Sequence, residues 1–140
     1  MNTLTFETQI DAIIKKVWDT LWNDETYRLW TAAFMEGSYA ESDWNEGSSI
    51  LFLSPGGSGM YSVIDKKIPY TQMSFRHLGE MHKGEKIPKE WGNATENYYL
   101  EETGDATKLK IVMDATPEME GYMNETFPKA LAILKQICEQ

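Results

Sequence analysis

The order of elements constrains this chain more than any single residue does. A strand and two short helices open it, alternating strand patterns fill the middle, and one long amphipathic helix, from about Pro117 to Cys138, closes it. Leu4, Phe6, Thr8 and Ile10 alternate with polar neighbours, which is the period of a half-buried strand. Ile14, Val17, Trp18 and Leu21 then recur at helical spacing, with Asp11 placed to cap that helix. Asn23 or Asp24 is placed to cap a second helix holding Tyr27 and Trp30. Helices this short are marginal alone, so both must pack on a sheet.

Six more strand-like segments follow, at about 34–40, 48–54, 59–66, 72–78, 95–103 and 108–115. Turn chemistry separates them: Pro55-Gly56-Gly57-Ser58-Gly59, Ile68-Pro69-Tyr70 and Gly104-Asp105. Seven strands with short connections predict an antiparallel meander. The expectation is an α+β fold, a curved sheet of about seven strands around the C-terminal helix, forming one domain over residues 1–140. Residues 79–92, with Lys83-Gly84, Pro88 and Trp91, read as one long loop.

Thr116-Pro117-Glu118 is a helix start: a capping hydroxyl, a proline in the first turn and an acid near the positive end of the helix dipole. Met119, Met123, Phe127, Leu131, Leu134 and Cys138 then form an apolar stripe, interrupted by Gly121 and Pro128. Pro128 removes a backbone hydrogen bond and should bend the helix. The part before it is expected to cover a cavity, and the part after it to pack as core.

Strand parity orients the middle of the chain. Met73, Phe75 and His77 share a face, as do Tyr98 and Leu100, and Leu109, Ile111 and Met113. A sheet folded around one helix should turn these sets inward. His77 then lies beside aromatic and methionine side chains. It is either a structural histidine satisfied by one hydrogen bond or an acid, base or ligand anchor. Glu80, Glu96 and Glu102 are the carboxylates that could approach it. Trp30, Trp44 and Trp91 lie near the ends of elements, where they either ring a cavity mouth or close the core at its rim.

Composition excludes several classes. Net charge is −9, with acids spread along the chain, which disfavours nucleic acid and anionic membranes as partners. Cys138 is the single cysteine, so no intrachain disulfide forms and the chain suits a reducing, cytoplasmic setting. The N-terminus shows no basic region followed by an apolar run, which predicts no signal peptide, and no segment is long and apolar enough for a membrane span. His77 and His82 have no recognisable metal-ligand spacing, Pro55 to Gly59 lacks the ending of a phosphate loop, and no Gly-x-Ser-x-Gly elbow occurs. The reading therefore assigns neither a metal nor a cofactor, and names no catalytic residue.

The opening Ile10-Asp-Ala through Val17-Trp18 and Leu21, followed by Trp30, resembles the start of the family related to the activator of Hsp90 ATPase. Further matching segments are Glu36-Gly37-Ser38-Tyr39, Trp44-x-x-Gly47-Ser48-x-Ile50-x-Phe52, Gly59-Met60-Tyr61-Ser62 and Ser74-Phe75-Arg76-His77-Leu78-Gly79-Glu80. Glu96-Asn97-Tyr98-x-Leu100 and Pro128-Lys129-Ala130-Leu131 complete a likeness that runs along the whole chain. That family lies in the START/Bet v 1-like superfamily, often labelled SRPBCC. The resemblance implies a helix-grip fold with a cavity. The superfamily includes lipid and hormone binders, aromatic-ring cyclases and a co-chaperone domain, and it supplies no shared catalytic motif.

Three functions compete on these grounds. The first is a binding protein for a small apolar or amphipathic molecule, its site lined by Phe75, His77, Tyr98, Met113, Met123 and Phe127, with Trp30, Trp44 and Trp91 nearer the mouth. The second is an interaction module, motivated by the acidic surface, with a chaperone-type protein partner. The third is an enzyme of cyclase, dehydratase or hydrolase type using His77 on a carbonyl compound. The first asks for the fewest unseen residues. Either a monomer or a homodimer, joined through an exposed strand or a tryptophan-rich rim, fits the sequence.

Overall fold

A computed structural model describes residues 1–140. Strand β1 (Asn2–Ile10) is followed by helices α1 (Ile14–Trp22) and α2 (Asp24–Thr31). Strands β2 (Tyr39–Glu41), β3 (Ser49–Ser54), β4 (Ser58–Ile68), β5 (Gln72–His82), β6 (Glu85–Pro88), β7 (Thr95–Thr103) and β8 (Ala106–Ala115) come next, and helix α3 (Pro117–Cys138) closes the chain. All strand pairs are antiparallel, in the order β1-β8-β7-β5-β4-β3-β2, with β6 on β5. The curved sheet grips α3, as the element order requires.

The sheet has eight strands rather than seven, and the difference lies in residues 79–92. These do not form one long loop. Strand β5 continues to His82, turns through Lys83-Gly84, both at positive φ, and returns as β6. That is the backbone a two-residue hairpin turn needs. Strand β6 extends the line of β7 along the same edge of β5. All four of its residues are exposed and one is Pro88, so it carries no alternation to read. The segment expected over 34–40 shortens to Tyr39–Glu41, because turns occupy the residues just after α2.

The three expected helix caps also differ. Helix α1 starts at Ile14, beyond Asp11, and Asn23 and Thr116 sit at the N-cap positions of α2 and α3 without a side-chain cap bond. Tertiary contacts tie down the chain before α1 and the end of α3. The buried Thr107 hydroxyl donates to the Ala12 carbonyl at 2.8 Å, just before α1. At the same end of the layer, Lys135 Nζ on α3 donates to the Gln9 carbonyl of β1 at 2.8 Å.

The inward parity sets are buried: Met73, Phe75 and His77 on β5, Tyr98 and Leu100 on β7, and Leu109, Ile111 and Met113 on β8. They meet Val17, Leu21 and the second half of α3, where Ala130, Leu131, Leu134 and Cys138 are buried. Each large aliphatic side chain so buried contributes about 1.5–3 kcal/mol. The first half of α3 is looser. Met119 is exposed and Met123 half-buried, and the Tyr122 hydroxyl donates to the Phe34 carbonyl. No helix is long and apolar enough to cross a membrane.

Candidate functional site

Between the sheet, α1, α2 and the first half of α3 lies a partly open cavity of about 230 Å³. Its wall is mostly aromatic. Trp22 comes from α1, Tyr27 and Trp30 from α2, Phe52 from β3, Phe75 from β5, Tyr98 from β7, and Phe127 from α3. Edge-on packing fixes the rings: Trp22 meets Tyr98 at 4.9 Å between centroids, Phe52 meets Phe75 at 5.0 Å, and Phe34 meets Phe127 at 4.9 Å. A wider pocket of about 530 Å³ adjoins it and shares Gly59, Met60 and Met123 with it.

Glu96, inward on β7 two residues before Tyr98, is the one charged group on the wall of the aromatic cavity. A chain of buried side chains holds it. The Tyr98 hydroxyl donates to Oε2 of Glu96 at 2.6 Å. Nε2 of His77 stands 3.1 Å from Oε1. On the other side of the imidazole, Nδ1 lies 2.6 Å from Oγ of Ser62. An ionised carboxylate only accepts hydrogen bonds, so with Glu96 ionised Nε2 carries a proton, and in the neutral imidazole Nδ1 then accepts from Ser62. A shift in register between β4 and β5 brings Ser62 directly opposite His77.

This serine, histidine and glutamate do not make a nucleophile. Ser62 is 1% exposed and lines neither pocket. Both ring nitrogens of His77 are engaged, so the imidazole orients Glu96 rather than offering a free base to the aromatic cavity. That differs from the third of the competing functions, in which His77 itself would do the chemistry.

The family described as activator of Hsp90 ATPase homolog 1-like protein matches residues 11–139. The chain belongs to this family. Among solved structures, it is similar to the Aha1 dimer from Colwellia psychrerythraea at 21% identity, covering 99% of this chain and 97% of that one with a TM-score of 0.78. It is similar to CalU16 from Micromonospora echinospora at 16% identity, covering 96% and 74% with a TM-score of 0.70. The AHSA1-like protein from Aeromonas hydrophila matches at 14% identity, covering 96% and 90%, also with a TM-score of 0.70. These likenesses establish the helix-grip fold. No curated protein matches the chain at a significant level.

In this member of the activator of Hsp90 ATPase family, Trp30, Phe75, Tyr98 and Phe127 line the aromatic cavity, and Met123 lines both pockets. His77, Trp91 and Met113 line the wider pocket instead. Trp44 lines neither. It sits at positive φ in the connection between β2 and β3 and packs against Trp22 at 5.7 Å and Tyr27 at 6.3 Å, bracing the wall from behind. Sequence reasoning named Glu96 only as one of three carboxylates that could approach His77, and missed Ser62 and Trp22 as parts of the site. Glu96 shares the parity of Tyr98 and Trp22 follows Trp18 by one helical turn, so both were within reach of the pattern. Ser62 was not, because its place depends on the register shift.

Burial and the Glu96 charge push the hydroxyls of Tyr27 and Tyr98 well above the ordinary tyrosine value of 10.0, and the bond to Glu96 pushes Tyr98 further. Unfolded tyrosines ionise near the ordinary value while these two keep their protons. Their contribution to stability is therefore complete below pH 10 and is lost as pH rises above it towards the folded pKa values. Each should lower the unfolding free energy by about 1.4 kcal/mol per pH unit in that range. Urea unfolding between about pH 9 and 12 measures the slope, which Tyr98→Phe and Tyr27→Phe should each make shallower. Equal slopes in all three proteins would contradict the assignment.

Proposed function

We propose that this protein binds a small apolar or amphipathic molecule between its sheet and α3. The observation that carries this reading is the aromatic cavity with one carboxylate in its wall. A dry cavity of about 150 Å³ admits benzene, and drug-sized sites begin near 300 Å³, so about 230 Å³ suits a molecule of about two fused rings. The wider pocket, with Glu80, Lys89 and Glu118 around it, leaves room for a polar tail passing Met60 and Met123.

Native mass spectrometry of protein purified from its own host, followed by denaturation, should release a reproducible small molecule of this class. Met123→Trp provides a second test, because the larger ring would occupy the space shared by the two pockets. The variant should fold normally and bind a naphthalene-based fluorescent probe about tenfold or more weakly, a loss of about 1.4 kcal/mol. A clean apo mass, together with a wild-type protein that ignores such probes, would overturn the reading.

A further inference from the structure

Glu96 has more hydrogen-bonding capacity than the protein uses. Each of its oxygens receives one bond, from His77 and from Tyr98, and a carboxylate oxygen can accept two. One donor on the same wall is idle: the Tyr27 hydroxyl, close enough to feel the Glu96 charge, makes no hydrogen bond. An unmet buried donor costs about 1–3 kcal/mol, so a ligand that satisfies one gains from doing so.

These groups select the ligand's chemistry. The idle donor requires an acceptor atom. The Glu96 charge, in an apolar surrounding, repels an anion. The rings and the volume select a flat molecule of about two fused rings. A neutral aromatic ketone meets all three conditions. Its carbonyl also acidifies the adjacent C–H bonds, which are the hydrogens a fixed carboxylate can take.

Resting on the binding reading above, we infer that the aromatic cavity is a proton-transfer site, in which Glu96 removes an α-hydrogen from a bound ketone and Tyr27 stabilises the resulting enolate. The α C–H bond breaks and its proton goes to the Glu96 carboxylate. The freed electron pair becomes a C=C bond, and the carbonyl π pair moves onto oxygen, where the Tyr27 hydroxyl donates to it. Return of a proton from Glu96 to carbon closes the cycle. Nothing is oxidised or reduced, and no co-reactant enters. A carboxylate held by donors at its rear keeps its orientation through the transfer, and a general base so placed accelerates such a step by about 100-fold or more.

The test uses β-tetralone, a bicyclic ketone, in deuterium oxide. Calorimetry measures its binding, and NMR follows deuterium entering the α-position. The wild type should bind the ketone and exchange its α-hydrogens well above the rate in buffer. Glu96→Gln should bind within about threefold of the wild type yet lose about 100-fold or more of the exchange. Tyr27→Phe, which leaves the carboxylate and its partners in place, should lose about tenfold or more. Binding without exchange above buffer, or equal exchange by Glu96→Gln and the wild type, overturns the proton-transfer inference and leaves the binding reading standing. A wild type that does not bind the ketone counts against both.

Discussion

Gly59→Ala is expected to leave little folded protein. Gly59 pairs with Leu53, one residue into β4, at φ +154°, and a Cβ there would stand 1.8 Å from the carbonyl oxygen of Phe52. That neighbour is backbone in a paired strand, so it cannot step aside without breaking the ladder. A loss of about 4 kcal/mol or more is expected, which removes most of the stability of a typical domain. Gly56→Ala is the control. It too has positive φ, but nothing lies within 4 Å of its added methyl, so it should cost only about 1 kcal/mol. Urea or thermal unfolding of the two variants decides the matter. A Gly59→Ala protein within about 1 kcal/mol of the wild type would mean that the two strands do not approach this closely.

Phe127→Ala should combine a large loss of stability with a change of ligand preference. The ring is almost wholly buried, stacks on Phe6 at 4.8 Å and receives the edge of Phe34 at 4.9 Å. Truncation should cost about 3–5 kcal/mol, partly from lost transfer energy and partly from the space left behind. That space opens onto the aromatic cavity, which Phe127 lines. The variant should therefore favour three-ring probes over two-ring probes relative to the wild type. Leu134→Ala makes the comparison. Leu134 is fully buried but lines neither pocket, so its loss should cost about 2–5 kcal/mol and leave ligand preference unchanged. A Phe127→Ala protein that loses little stability and keeps the wild-type preference would contradict the assignment of this wall.

Much of this architecture was legible in the order of periodic segments. Period-two alternation placed Phe75, Tyr98 and Ile111 on the inner face, and the stripe from Met119 to Cys138 marked the closing helix to its last residue. The reading failed where local pattern carries no signal. Strand β6 is exposed along its length, and its hairpin is specified by the backbone of Lys83 and Gly84 rather than by hydrophobic residues. The caps failed because Asp11, Asn23 and Thr116 are the right residue types, yet no hydrogen bond from them closes on the helix ends. In the candidate site, His77 attracted attention for its chemistry, whereas the group facing the aromatic cavity is Glu96. An acid reads as a surface residue until the strand carrying it is known to turn that face inward. The partnership of Ser62 with His77 depends on pairing between two strands, which single-strand periodicity does not contain.

Strands β4, β5 and β7 are each hydrogen-bonded to neighbours on both edges, and they carry Ser62, His77, Glu96 and Tyr98. Much of the apolar wall comes instead from α1, α2 and α3, through Trp22, Tyr27, Trp30, Met123 and Phe127. The carboxylate with its supports and much of the cavity's outline are thus encoded on separate parts of the chain. Descendants of such a gene can remodel what fits inside by changing helical side chains, one at a time, while the carboxylate and its supports are inherited intact. The same separation lets an engineer reshape the space for the guest from the helices without disturbing the carboxylate that faces it.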